Sequence, residues 1–128
     1  QTIGSLEMAR VTADSVTLKP AVPAQAAEDS WVVATDLAEA LARSGVPFHQ
    51  AHQIVGRLVL ESTKLSRKPL DWSPAELLAF DARLTAEFAK LLQPAEGMKT
   101  REIRGGTGPA SVAAALRAAR ERLAEMRR

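Results

Sequence analysis

The chain has 128 residues, enough for one domain with its own core. Hydrophobic residues reach 46% while aromatics are only 4%, so that core must be built from Leu, Val, Ile and Ala. The absence of cysteine excludes a disulfide framework and a thiolate metal site, and a net charge of +2, with no basic cluster interleaved with aromatics, gives no nucleic-acid platform.

Alanine is abundant, and Gly and Pro fall mainly between periodic segments, which favours an all-α chain. No apolar run approaches the ~18 residues of a membrane span. The first residues lack a signal-peptide pattern, and nothing supports an extracellular role. The chain opens on Gln1 rather than Met, which leads us to expect sequence upstream.

Ile3, Leu6, Met8, Val11 and Val16 make Gln1 to Leu18 a moderately amphipathic helix without a clear N-cap. Pro20 and Pro23 then disfavour helix in the residues before them, and we place a domain boundary here. Pro23 can open a short helix through Ala27. Trp31 reads as partial core in preference to a partner-facing anchor.

The stretch from Ala34 to Val59 predicts a short helix, a tight break and a longer helix. Leu37, Ala38 and Leu41 share one face. Asp36 and Glu39 have the spacing of a capping pair, although a start near Ser30 is also open. The same two residues are a possible carboxylate pair for chemistry, which capping explains more economically. Gly45 suits a left-handed residue past the helix end, and Pro47 suits the start of the next helix. Phe48, Ala51, Val55, Leu58 and Leu65 mark the expected buried stripe of that second helix. His49 and His52 are three apart, but a metal would need further ligands, and no third His exists. Gly56 inside the helix costs about 1 kcal/mol against Ala, and close approach of a crossing helix would explain it.

Lys64 to Lys68 is a charged helix end that Pro69 stops. Ser73, Pro74 and Glu76 form a strong start signal. Leu77, Leu78, Phe80, Leu84, Phe88, Leu91 and Leu92 carry a second helix pair, broken near Asp81. Pro94 to Gly108 reads as a long connection. Lys99, Arg101 and Arg104 beside Gly105-Gly106 could make an anion-binding loop. Pro109 follows where a phosphate loop needs Lys-Ser/Thr, so a structural turn is preferred. A last helix starts near Pro109, with Val112, Leu116, Ala119, Leu123 and Met126 in a heptad-like seam. Arg117 with Glu121, and Glu125 with Arg128, are helix-spaced pairs. Mixed charges on an Ala-rich face argue against a membrane-surface helix.

Two groups of residues carry a resemblance. Ala34-Thr35-Asp36-Leu37-Ala38-Glu39, Gly45-Val46-Pro47-Phe48, Ala51-His52 and Ile54-Val55-Gly56 form the first. Gly105-Gly106-Thr107-Gly108-Pro109 before the last helix forms the second, at a fitting distance. Together they resemble the C-terminal region of argininosuccinate lyases, members of the fumarase/aspartase superfamily. The resemblance implies an all-α fold. Residues 1–19 would be the tail of a central-bundle helix. Residues 20–128 would be a C-terminal domain of stacked helix–turn–helix pairs, the second roughly perpendicular to the first.

The family cleaves argininosuccinate to arginine and fumarate and works as a homotetramer, with a cytoplasmic role in arginine biosynthesis. A base takes a proton from the succinyl carbon, and the aci-carboxylate expels the guanidinium nitrogen. The catalytic serine of the family lies in a Gly-Ser-Ser-x-Met-Pro loop, and the catalytic histidine lies further upstream. This chain contains neither. His52 matches a family position and His49 sits where Arg is common, but neither is catalytic there. The resemblance therefore assigns no catalytic, cofactor-binding or metal residue to this chain, and no cofactor. The implied partners are the rest of the lyase polypeptide and the other subunits, with no nucleic acid and no membrane. A stand-alone helical interaction module without catalysis is the alternative.

Overall fold

The computed structural model describes residues 1–127. Among them are eight α-helices, two short 3-10 turns and no strand. The helices are α1 (Thr2–Ser15), α2 (Ala21–Glu28), α3 (Ala34–Arg43), α4 (Phe48–Lys64), α5 (Pro74–Phe80), α6 (Ala86–Lys90), α7 (Pro94–Lys99) and α8 (Pro109–Met126). The all-α expectation holds.

The core sits between α3 and α4. Leu37, Ala38 and Leu41 meet Ala51, Ile54, Val55 and Leu58, and Val33, Trp72, Leu77, Leu84 and Leu92 close the cluster. Each buried Leu or Ile contributes about 1.5–3 kcal/mol here. Trp31 packs against the cluster as partial core.

Both long core helices end by the same device. Gly45 has φ of +100°, and Val46 N–H reaches back to Leu41 O at 3.1 Å while Gly45 N–H bonds Ala42 O at 3.1 Å. These reverse bonds satisfy carbonyls that the helix end would leave open. Ser66 repeats the turn after α4 with φ of +53°, and Arg67 N–H bonds Ser62 O at 2.8 Å. The stop ahead of Pro69 is thus made by a left-handed serine.

The stripe of α4 differs from expectation at both ends. Phe48 is 62% exposed and Leu65 is 53% exposed, while Ile54 and Ser62 are buried in their place. Phe48 opens the helix off the packed face, and Leu65 lies past its last turn. Gly56 also differs, because a Cβ added there would meet nothing within 4 Å. No helix of this chain crosses it among the described residues.

Ser62 is buried because it is fully partnered. Its hydroxyl donates to Leu58 O at 2.7 Å and accepts from Trp72 Nε1 at 2.9 Å. Trp72 also meets Phe80 edge-on at 5.8 Å and carries the Arg67 guanidinium 4.2 Å over its ring. Ser73 and Glu76 then start α5 reciprocally, with Ser73 N–H donating to Glu76 Oε2 at 2.8 Å and Glu76 N–H to Ser73 Oγ at 3.3 Å. The chain breaks at Asp81, in extended conformation, and α6 packs back on α5.

Three boundaries shift. α1 ends at Ser15, and Val16 is already extended. α2 starts at Ala21 rather than Pro23, because Pro23 falls at the third helical position, whose N–H has no intrahelical partner. The connection after Pro94 contains α7, with Pro94 at its first position. No residue of α1 or α8 is buried. The α8 seam of Val112, Leu116, Leu123 and Met126 exists and faces solvent. Arg117 and Glu121 are both exposed, and Arg128, the expected partner of Glu125, lies outside the described residues.

Candidate functional site

Asp36 and Glu39 do not cap α3. Asp36 is buried, its side chain 5% exposed, and its Oδ1 accepts from Arg101 Nη2 at 2.6 Å and Nε at 3.0 Å. Glu39 instead pairs along the helix with Arg43 at 2.9 Å. Asp36 also leans on Gly97 of α7, where any Cβ would overlap its carboxylate. The pair therefore ties the start of α3 to the segment after α7, across 65 residues of chain. The two carboxylates expected side by side serve separate structural bonds.

Two of the three cations expected in the basic loop are already paired, and the third, Arg104, is exposed. Arg101 has its anion in Asp36, and Lys99 bonds Glu96 at 2.5 Å. The N-terminus of α8 could attract an anion, and the chain fills it with Glu102. Its Oε1 accepts from Ala110 N–H at 2.9 Å, and its Oε2 from Ser111 N–H at 2.7 Å. The Ala110 N–H, with the Ser111 donors, holds the Glu102 carboxyl below its ordinary value. Gly108 leaves room for it, since a Cβ there would lie 2.5 Å from the Glu102 carboxyl carbon. Gly105 turns the loop at φ of +80°. The structural turn, not a phosphate loop, is what these residues build.

Two serines donate to carboxylates: Ser73 Oγ to Glu76 at 2.7 Å and Ser111 Oγ to Glu102 at 3.0 Å. In both pairs the carboxylate also holds a backbone N–H at a helix start, so both are caps rather than activated nucleophiles. His49 and His52 are exposed on α4, and the His52 ring lies tilted against Phe48 at 6.3 Å. No three His, Asp or Glu side chains gather as a metal group among the described residues. No helix among them is long and apolar enough to cross a membrane.

What sequence reasoning missed was the use of Asp36, Glu102 and Trp72. For Glu102 a signal existed: an acid shortly before a Gly-Pro helix start. For Asp36 none did, because its partner is distant in sequence.

Comparison with known proteins identifies what this helical arrangement belongs to. The family described as argininosuccinate lyase C-terminal matches residues 31–99, from the turn before α3 to the end of α7. Argininosuccinate lyase of Solibacter usitatus (strain Ellin6076) is 62% identical over 126 residues, covering 98% of this chain and 27% of that protein. The enzyme of the same name from Deinococcus radiodurans is 42% identical over 98 residues, 77% of this chain and 21% of that protein. One from Streptococcus pneumoniae (strain D39) is 39% identical over 84 residues, 66% of this chain and 18% of that protein. The chain thus spans about a quarter of the length of these relatives. The matched core contains the α3–α4 pair, the α5 cap and Gly97, and the wider match takes in the Gly105 turn and α8. This chain belongs to the argininosuccinate lyase family and corresponds to its C-terminal region.

Proposed function

We propose that this chain is the C-terminal part of an argininosuccinate lyase, an enzyme of arginine biosynthesis that splits argininosuccinate into arginine and fumarate. The observation that carries this reading is the 62% identity across 98% of the chain. In it, the proton-abstracting residues belong to the remainder of the polypeptide, and this part shapes and closes the site. The geometry supports that division. Asp36, Glu76 and Glu102 are each engaged in holding helices together or starting them.

The exposed apolar residues of α1 and α8 support docking on the rest of the polypeptide and on other subunits of a homotetramer. On this reading residues 1–19 are the tail of a bundle helix, and the enzyme works in the cytoplasm. The same exposed stripes would also serve a stand-alone interaction module, which is the competing reading.

The assay is fumarate absorbance with the purified 128-residue chain and argininosuccinate. No fumarate above background is expected. Fumarate release would place catalytic residues inside this chain and overturn the division of labour.

A further inference from the structure

A cleft of ≈ 760 Å³ opens between α4 and the turn that joins α5 to α6. His49, His52, Gln53, Arg57, Leu60 and Arg83 line it, and none of its lining residues is an Asp or Glu. One carboxylate, Asp81, holds both guanidinium groups. Arg83 donates from Nε to Oδ1 at 2.8 Å and from Nη2 to Oδ2 at 2.9 Å, and Arg57 Nη2 reaches Oδ2 at 3.4 Å. The Asp81 side chain is 10% exposed, against 44% for Arg83 and 64% for Arg57. The counter-charge lies behind and the cations face the water.

The local balance is one negative charge against two positive ones. The Arg83 hydrogen bonds, chief among the causes, hold the Asp81 carboxyl below its usual range, so the framework stays charged at neutral pH. Each guanidinium has five N–H donors. Arg83 spends two on Asp81 and Arg57 one, so both retain free donors. Arg83 is also fixed in place by its fork, so little freedom is lost when it takes a second acceptor. Gly56 lets the cleft run in toward α4, because no side chain stands there.

We propose that this cleft binds a small oxyanion, a carboxylate or a phosphate, between Arg57 and Arg83, with His49, His52 and Gln53 along the same α4 wall that carries Arg57. The site rests on this chain's own residues and does not depend on the lyase reading.

Inorganic phosphate and succinate, each titrated at constant ionic strength against chloride, are the probes. The readout is NMR shifts of the Gly56 and Arg83 amides and of the His49 and His52 ring protons. A single saturable site at these signals is expected, weakened roughly tenfold or more by Arg57→Gln and by Arg83→Gln. Saturation by phosphate alone, by succinate alone or by both identifies the oxyanion class. If Arg83→Gln unfolds the turn at Asp81, Arg57→Gln decides, because Arg57 makes only the 3.4 Å contact there. Shifts that stay linear in concentration, that spread equally to Arg43 and Lys64, or that survive Arg57→Gln would overturn the proposal.

Discussion

Removing Arg101 should cost this chain more stability than removing Asp36, although the two are partners in one ion pair. The Asp36 side chain is 5% exposed and that of Arg101 is 39% exposed. Arg101→Ala strands a buried carboxylate that has lost bonds of 2.6 and 3.0 Å. Breaking a fully buried pair costs about 3–5 kcal/mol. The guanidinium here is partly in water, so screening lowers the figure, and the ~1–3 kcal/mol of an unsatisfied buried group is the better guide. We expect about 2 kcal/mol. Asp36→Ala leaves a guanidinium that can turn to solvent, at about 1 kcal/mol, part of it from losing an acid in the first turn of α3. At about 4 °C per kcal/mol for a domain of this size, the two variants should melt about 8 and 4 °C lower. The double variant should match Asp36→Ala, because no buried charge is left behind, giving a coupling of about 2 kcal/mol. Circular dichroism melts near neutral pH measure all four proteins. Equal losses for the two single variants, or additive losses in the double, would refute the asymmetry.

Gly45→Val forces a β-branched side chain to φ of +100°, and should lower the melting temperature through about 1–2 kcal/mol or more of strain. Unchanged unfolding would show that the α3 stop does not need glycine. Gly56→Ala should do the reverse and raise stability by about 1 kcal/mol, since the new methyl meets nothing within 4 Å and alanine favours helix. A loss of stability on that change would mean that another part of the chain approaches α4 there. Glu102 is held below its ordinary value of 4.5 by the α8 N–H groups, so its contribution is present above that pH and is lost as the pH falls through the lower folded value. Helicity of α8 should therefore drop on acidification below that point in the wild type, and Glu102→Gln should remove this part of the acid transition; an identical acid profile in the variant would show that Glu102 does not hold α8.

Local signals were legible in the sequence. The Ser73–Glu76 cap, the Gly45 turn and the Asp81 break depend on residues within a few positions of one another, where spacing states the geometry. Leu37 and Leu41 of α3, and Ala51, Val55 and Leu58 of α4, were equally plain, because helical periodicity selects one face. The misses have physical causes. Asp36 satisfied a local capping pattern, and its true partner, Arg101, is brought beside it only by the packing of α7 against the turn before α3. Phe48 and Leu65 continue the apolar pattern of α4 at its ends, where no second layer among the described residues covers them. α7 was hidden because Gln93 is a weak cap, although Pro94 and Glu96 repeat the start pattern of α5. The cost of Gly56 in mid-helix suggests a helix contact, while the open space around it depends on which elements lie nearby. The oxyanion cleft was not legible at all, since Arg57 and Arg83 meet only through Asp81.

The most direct test grafts this chain in place of the corresponding 126-residue region of the Solibacter usitatus enzyme, and measures kcat for fumarate release. A part that folds on its own core and shapes the site from outside should support turnover within roughly tenfold of the unmodified enzyme. A graft that folds and assembles yet releases no fumarate would contradict the account.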